Sequence, residues 1–251
     1  MEALVHETAA IGYARDTDRY HRGRPSYHPE IIERVASRYG QNGVVELGAG
    51  TGILTRQLID LGVPVIALEP VISMRTTLSG TVPEADVRVG SAENIPLPDN
   101  SVDTIIAGQA FHWFDPPAAL DEIVRVLRPE GHLVTVWNVR DESIRWVAEY
   151  SKVIEQYAVN APRYRDMNWR RAINADHRLG PVDEARVANP QVISAHGVID
   201  RVLSTSFIAA LAPDRQQDVV NQVRRIVAPL GPTFELPYIS QLQAWRLPEQ
   251  S

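Results

Sequence analysis

Three closely spaced glycines mark the first place in this sequence where chemistry could take place. Gly48, Gly50 and Gly52 directly follow a short apolar run, Val44 to Leu47. Glycine permits a sharp turn and lets the backbone approach a ligand closely. A helix beginning near Thr51 would direct its free N–H groups at this turn. Glu69, about twenty residues further on, could accept hydrogen bonds from ribose hydroxyls, so the spacing predicts a nucleotide-binding crevice in a βαβ unit.

The spacing of the glycines indicates which nucleotide would bind. A dinucleotide fingerprint is Gly-x-Gly-x-x-Gly, but here the third glycine comes one residue earlier, at Gly52, and Ile53 takes the later position. Glu46-x-Gly48-x-Gly50-x-Gly52 resembles motif I of the class I S-adenosylmethionine-dependent methyltransferases. An ordinary strand–turn–helix is the alternative interpretation, which the three glycines together with Glu69 make the weaker one.

The resemblance continues in the right order from Tyr20 to Asn138 and is closest to small-molecule methyltransferases of the type 11 group. It implies S-adenosylmethionine as the cofactor. The residues it places at the cofactor are Tyr20, Arg24, Glu46, Gly48, Ala49, Gly50, Thr51, Gly52, Glu69, Pro70, Met74, Ser91, Ala92, Glu93, Gln109 and Ala110. Ser91 stands where the family usually has an acidic residue, so Glu93, a hydroxyl or a backbone carbonyl would have to bind the adenine amino group. Met74 could equally belong to the core.

The segment from Gly108 to Phe114 follows a predicted strand at the end where α/β sheets bind ligands. We expect the substrate pocket to contain Tyr27, Phe111, His112, Trp113, Trp137 and Trp169. The family reaction is an in-line displacement at the methyl carbon of a sulfonium, which depends mainly on alignment. An alcohol or phenol would also need a general base, for which His112 is the candidate, whereas a carboxylate would not. His112 could instead only orient its loop.

The arginines between Arg163 and Arg171 also allow two interpretations. They could clamp an anionic acceptor, or they could form a solvated surface, and we favour the surface. No spacing of histidines and carboxylates indicates a metal site.

The secondary-structure elements that must position these residues are predicted to form an α/β fold. We expect a Rossmann-like, mostly parallel seven-stranded sheet with helices on both faces and an antiparallel last strand. Residues 1–251 would form a single methyltransferase domain, with an arm and helix at 1–40 over the cofactor crevice. Residues 160–183 are predicted to be an irregular insertion near the substrate end, 185–194 the sixth strand and 234–247 the closing strand.

Composition limits the possible partners. The net charge of −6 argues against nucleic-acid or anionic-membrane binding through bulk charge, and the absence of cysteine excludes disulfides. With no signal-peptide pattern and no apolar run of transmembrane length, we expect a cytoplasmic protein. The favoured function is methyl transfer to a small-molecule acceptor, preferably to oxygen, on a carboxylate or hydroxyl. The alternatives are a non-catalytic S-adenosylmethionine-binding protein, a methyltransferase acting on a macromolecule, and, less favoured, a nicotinamide-dependent oxidoreductase.

Overall fold

The computed structural model describes residues 23–158 and 162–249, which are built around a seven-stranded sheet. The strands are β1 (Val44–Leu47), β2 (Val65–Leu68), β3 (Asp86–Arg88), β4 (Val102–Gly108), β5 (Leu127–Arg140), β6 (Gly180–Ala188), β7 (Gln191–Ser194), β8 (Thr233–Leu236) and β9 (Tyr238–Arg246). The central sheet has the order β3-β2-β1-β4-β5-β9-β6, and β7 pairs with β8 in a separate two-stranded sheet.

The pairing directions confirm the predicted fold class. Strands β3, β2, β1, β4 and β5 are mutually parallel, whereas β9 runs antiparallel to both of its neighbours, β5 and β6. The last strand is therefore inserted into the sheet in the opposite direction. Because the first five strands are parallel, their carboxyl ends lie at one edge, where the loops that carry chemistry can meet.

Helices cover both faces of the sheet. In the described ranges they are α1 (Pro29–Tyr39), α2 (Ile53–Asp60), α3 (Ile72–Thr81), α4 (Pro116–Val126), α5 (Arg145–Glu155), α6 (Asn168–Ala175), α7 (Ala195–Leu203), α8 (Ser206–Ala209) and α9 (Pro213–Val227). Helices α1, α2 and α3 bury apolar side chains in the core of one face. Helices α4 and α6 do the same on the other face.

Helix α1 shows how local sequence fixes one of these elements. The side chain of His28 accepts a hydrogen bond from the backbone N–H of Glu30, and Pro29 occupies the first turn, where its missing N–H costs nothing. Ile31, Ile32 and Val35 recur at helical spacing and are buried. The helix ends at Tyr39, and Gly40 is its C-cap residue.

A third apolar core lies beside the sheet and is formed by α5, α7, α8, α9, β7 and β8. We call these six elements the cap. Side chains such as Val198, Val202, Val219 and Val223 are fully buried within it. The cap matters for the site because α5, α7 and the turn that follows α7 border the larger of the two cavities described below.

The prediction of an irregular insertion over 160–183 is wrong. Asn168–Ala175 forms helix α6, and strand β6 already begins at Gly180. Trp169 and Ile173, one helical turn apart, are buried, while polar and arginine residues occupy the outer positions. The helix was missed because only two large apolar residues define its buried face. Residues 159–161 lie outside the described part of the chain.

The last strands are divided differently from the prediction. The expected sixth strand over 185–194 is two strands, since β6 ends at Ala188 and β7 begins at Gln191. The expected closing strand over 234–247 is likewise divided at Pro237 into β8 and β9. A proline lacks the N–H that a continuing ladder needs, and both breaks contain one, Pro190 and Pro237. No helix in the described ranges is long and apolar enough to cross a membrane.

Candidate active site

The glycine turn adopts the conformation for which glycine is suited. Gly48, Gly50 and Gly52 have φ angles of 66°, 60° and 87°, all in the left-handed region. A Cβ atom at Gly52 would lie 2.3 Å from Leu78 Cδ1, whereas a Cβ atom at Gly50 would have no heavy atom within 4 Å. Gly52 is therefore required for packing. Gly50 faces open space in the crevice, where a ligand can approach the backbone.

Glu69 is held beside this turn at the carboxyl end of β2. Its carboxylate accepts hydrogen bonds of 2.8 Å from the backbone N–H groups of Gly50 and Val71. Burial raises the pKa of this carboxyl, and the two backbone hydrogen bonds act in the opposite direction. The contact with Gly50 joins two residues that the sequence predicted to act on one nucleotide, and it fixes the carboxylate at the edge of the crevice.

Glu46 is the second carboxyl of the crevice and is only 1 % exposed. Burial raises its pKa to about 8, although the Thr55 hydroxyl donates a hydrogen bond to it at 2.6 Å. The nearby Glu69 raises this pKa further. Near neutral pH the Glu46 carboxyl is therefore mainly protonated and can itself donate a hydrogen bond.

The crevice itself is a cavity of about 50 Å³. The described residues that line it are Arg24, Pro25, Tyr27, Glu46, Gly48, Ala49, Gly50, Thr51, Ile53, Leu54, Gly108 and Gln109. Pockets for drug-sized ligands usually measure roughly 300–1,000 Å³. A nucleotide-sized ligand therefore fills this cavity with only part of its structure and extends beyond it.

The remaining predicted cofactor residues have varied surroundings. Met74, Ala92 and Ala110 are buried. Ser91 forms an isolated bridge with Asn94, and Glu93 accepts a hydrogen bond from the backbone N–H of Asp115. The adenine-binding role of this loop, together with Pro70, stays a prediction. Tyr20 lies outside the described residues.

Residues 24–27, which we call the arm, close one side of the crevice. The side chain of Gln57 pairs with both backbone groups of Tyr27, at 2.9 and 2.8 Å. Asn138, at the carboxyl end of β5, donates to the carbonyl oxygens of Pro25 and Ser26, both at 3.1 Å. These bonds hold the arm in place beside the glycine turn.

A larger cavity of about 280 Å³ adjoins the crevice, because Arg24 and Gln109 line both. Its walls come from the loop after β4, the end of β5, the segment around Tyr164 and the cap. Gln109 has a φ angle of 56° and donates a hydrogen bond of 2.8 Å to the carbonyl of Asn138. This loop therefore forms part of the boundary between the two cavities.

His112 lines the larger cavity and is partly buried. Burial lowers its pKa to about 3, and the positive charge of Arg24 contributes to the shift. Among the described residues, its Nδ1 atom has no hydrogen-bond partner. The imidazole is therefore neutral near pH 7 and retains a ring nitrogen for a ligand.

The predicted substrate pocket is only partly assembled. His112 and Trp113 line the larger cavity, and Tyr27 lines the crevice. Phe111, Trp137 and Trp169 do not line either cavity and are at most 2 % exposed. Trp137 and Trp169 instead pack against each other with ring centroids 4.7 Å apart. These three aromatic residues therefore support the His112 loop from the core. Large aromatic rings gain more from apolar packing than from lining a cavity.

Arginines are the feature that sequence reasoning underestimated. Five of them and two glutamates line the larger cavity: Arg24, Arg140, Arg163, Arg165 and Arg201, with Glu142 and Glu155. Of the arginines predicted to form a solvated surface, Arg163 and Arg165 line this cavity with side chains that are 31% and 43% exposed. Arg170 fits the predicted surface better, since it pairs with Glu184 and does not line the cavity. A usable signal for Arg201 was its position among Val198, Ile199 and Val202 of an apolar helix.

The described residues contain no group of three or more histidine, aspartate or glutamate side chains placed to hold a metal ion. The candidate site therefore consists of a small crevice with two buried carboxyl groups and an adjoining, arginine-rich cavity.

Comparison with known proteins places this arrangement in context. Residues 45–135 match the family model described as a methyltransferase domain. An uncharacterized methyltransferase of Mycobacterium tuberculosis is 34% identical over 219 residues, covering 87% of this chain and 86% of that protein. An uncharacterized methyltransferase of Schizosaccharomyces pombe is 41% identical over 148 residues, covering 57% of this chain and 59% of that protein.

A solved structure, described as a type II methyltransferase of Anaeromyxobacter dehalogenans, has the same fold. It superimposes with a TM-score of 0.67 at 20% sequence identity and covers 90% of this chain and 99% of its own. At that identity, the likeness supports the fold alone.

Proposed function

This chain belongs to the S-adenosylmethionine-dependent methyltransferases of the type 11 group, and from that premise we propose that it methylates a carboxylate oxygen of a small molecule. Its fold and its βαβ crevice agree with the membership. The nature of the acceptor is our inference from the residues that line the larger cavity.

The low pKa of His112 is the observation that carries the choice of a carboxylate. A phenol has a pKa near 10, whereas the pKa of His112 is about 3. Proton transfer from a phenol to His112 is therefore strongly unfavourable. His112 is therefore a poor general base. A carboxylate is already ionised near neutral pH and needs no base.

The size and position of the larger cavity support a small acceptor. Its volume of about 280 Å³ lies just below the range of pockets for drug-sized ligands, roughly 300–1,000 Å³. Because Arg24 and Gln109 line both cavities, an acceptor in the larger one can approach a ligand in the crevice. That proximity is what an in-line transfer requires.

The residues of the crevice fit the family cofactor. The open space at Gly50 admits a ligand close to the backbone, and Glu69 presents a carboxylate for ribose hydroxyls. The cofactor supplies an activated methyl group when bound. The chain supplies position, since alignment of reacting groups is worth at best roughly 7–11 kcal/mol. We assign His112 and Trp113 to the acceptor side and expect His112 to orient the acceptor through a neutral ring nitrogen.

The proposal is tested by methyl transfer from S-adenosylmethionine to matched acceptors, such as benzoate against phenol and succinate against butanediol. We expect the carboxylates to be methylated, with the same pH profile between about pH 6 and pH 9 in the wild type and in His112→Asn, since Glu46, with a pKa of about 8, titrates there and His112 does not. Preferential methylation of the phenol, with a titration in this interval that His112→Asn abolishes, would contradict the proposal.

A histidine variant with a matched control separates orientation from base catalysis. His112→Asn should lower the rate less than about tenfold on carboxylates, because only one orienting hydrogen bond is lost. His196→Asn is the control, since the His196 side chain is 86% exposed on α7 and does not line either cavity. A loss of about a hundredfold or more in His112→Asn would indicate a base and overturn the assignment.

A further inference from the structure

The cap side of the larger cavity carries buried positive charge. Arg201 lies on α7 and is only 6 % exposed, and the side chain of Arg140, at the end of β5, is 17% exposed. Tyr238 is 2 % exposed and lines the cavity beside them. Tyr150 on α5 is fully buried under the guanidinium of Arg140, which lies 5.5 Å from its ring centroid. Tyr150 itself does not line the cavity, and we call Arg140, Arg201 and Tyr238, which do, the basic wall.

The glutamates of the cavity lie mainly with the arginines of its more exposed side. Glu155 contacts Arg163 closely and Arg140 more distantly, at 3.8 Å. Glu142 contacts Arg165, whose side chain is 43% exposed. Among the described residues that line the cavity, five are arginines and two are glutamates, a composition that suits an anionic ligand.

Two hydroxyl groups of the cavity are the second observation. Tyr238 and Thr205 both line the cavity, and neither the Tyr238 hydroxyl nor Thr205 Oγ1 has a hydrogen-bond partner among the described residues. Buried hydroxyls are nearly always hydrogen-bonded, so each such group calls for an explanation.

From this juxtaposition of buried guanidinium groups and unpartnered hydroxyls we propose that the basic wall binds an oxyanion of the acceptor, a carboxylate or a phosphate ester, distinct from the group that is methylated. Guanidinium and hydroxyl donors together match the oxygens of such a group. This inference rests on the proposed function only in treating the larger cavity as the acceptor site.

The anchored oxyanion is not the methylated oxygen, for a chemical reason. Charge-assisted hydrogen bonds from guanidinium groups stabilise the negative charge of a carboxylate, which makes its oxygens weaker nucleophiles toward the methyl group. The reacting oxygen instead belongs near Gln109, where the two cavities meet. The acceptor class that follows is a small molecule with at least two acidic groups, one anchored and one methylated.

The test measures binding of succinate and of inorganic phosphate by calorimetry without methyl donor, with uncharged succinamide as the comparison ligand. Tyr238→Phe removes only the hydroxyl. It should weaken the affinity for whichever of the two oxyanions binds the wild type by about tenfold. Arg201→Gln should weaken it by tenfold or more, and Arg201→Lys should restore part of the loss.

Matched controls come from outside the wall. Tyr157→Phe removes a hydroxyl that contacts Gln222, and Arg145→Gln removes an arginine side chain that is 93% exposed. Both should bind the probes like the wild type. If Arg201→Gln fails to fold because its position is buried, Tyr238→Phe decides the question.

Preferential binding of succinate assigns the wall to a carboxylate, and preferential binding of phosphate assigns it to a phosphate ester. Binding of both probes no tighter than succinamide, or equal binding in Tyr238→Phe and the wild type, overturns the proposal. Because methyl transfer is not the readout, the two proposals fail separately. Oxyanion binding that depends on the wall, without methylation of any carboxylate, would refute the proposed function alone.

Discussion

The crevice and the larger cavity share Arg24 and Gln109 but differ in charge and in origin. Glu46 lines the crevice and Glu69 is bonded to the glycine turn, and this turn and both buried carboxyl groups come from one short βαβ unit. The cavity is lined by arginines from segments as far apart as residue 24 and residue 201. In the proposed reaction the crevice holds the methyl donor and the basic cavity holds an anionic acceptor.

The two adjoining sites therefore depend on the sequence in different ways, one through local backbone conformation and the other through the tertiary fold. A turn with left-handed glycines has one set of compatible residues, whatever the rest of the chain does. An arginine that lines a cavity has the same side chain as an arginine on the surface, so its location depends on the tertiary fold. The predictions below test each side of this contrast.

The largest effect is expected at Gly50. Gly50→Leu and Gly62→Leu both place a side chain on a left-handed backbone with no heavy atom within 4 Å of the Cβ. Each should lower the free energy of unfolding by about 1–2 kcal/mol. Only Gly50 lines the crevice, so only that variant should lose S-adenosylmethionine binding in calorimetry. Retained affinity in Gly50→Leu would exclude the glycine turn as the cofactor site.

Glu69→Ala should weaken S-adenosylmethionine binding by about 1.5–3 kcal/mol, or tenfold to roughly a hundredfold, through loss of a charge-assisted hydrogen bond. Glu84→Ala is the control, because Glu84 is exposed and pairs with Arg56 away from the crevice. Equal dissociation constants for the two variants, measured by calorimetry, would show that Glu69 only supports the turn through Gly50.

Asn138→Ala tests the arm that borders both sites. It removes the donors to Pro25 and Ser26 and should cost about 1–3 kcal/mol of unfolding free energy, measured with denaturant, together with cofactor affinity. Asn174→Ala removes an acceptor for Trp245 far from the arm and should affect stability alone. If both variants bind S-adenosylmethionine equally well, the arm does not contribute to the crevice.

The pH dependence of stability should reveal the buried Glu46. Its folded-state pKa of about 8 lies above the ordinary value of 4.5. The contribution of the protonated Glu46 to the free energy of unfolding is therefore complete below pH 4.5. It is lost as the pH rises through 8, because Glu46 ionises at lower pH in the unfolded chain than in the folded protein. Between about pH 6 and pH 7 the wild type should lose up to about 1.4 kcal/mol relative to Glu46→Gln. Parallel stability curves for the two proteins in denaturant titrations would mean that Glu46 ionises normally.

The sequence by itself determined the elements that depend on local patterns. The glycine turn, Glu69 at the end of β2 and helix α1 between Pro29 and Gly40 all follow from spacing over a few residues. Each depends on backbone conformation or on helical or strand periodicity, and residues close together in the sequence determine both.

The packing of side chains that are distant in sequence depends on the tertiary structure and could not be predicted from local patterns. The tertiary structure placed Phe111, Trp137 and Trp169 in the core, because large rings gain more from close packing than from lining a cavity. It formed helix α6 where the sequence looked irregular, since Trp169 and Ile173 could find a core to cover. It also brought Arg140, Arg201 and Tyr238 to one wall, because β9 inserts beside β5 while α7 packs in the cap, and no local pattern encodes that meeting.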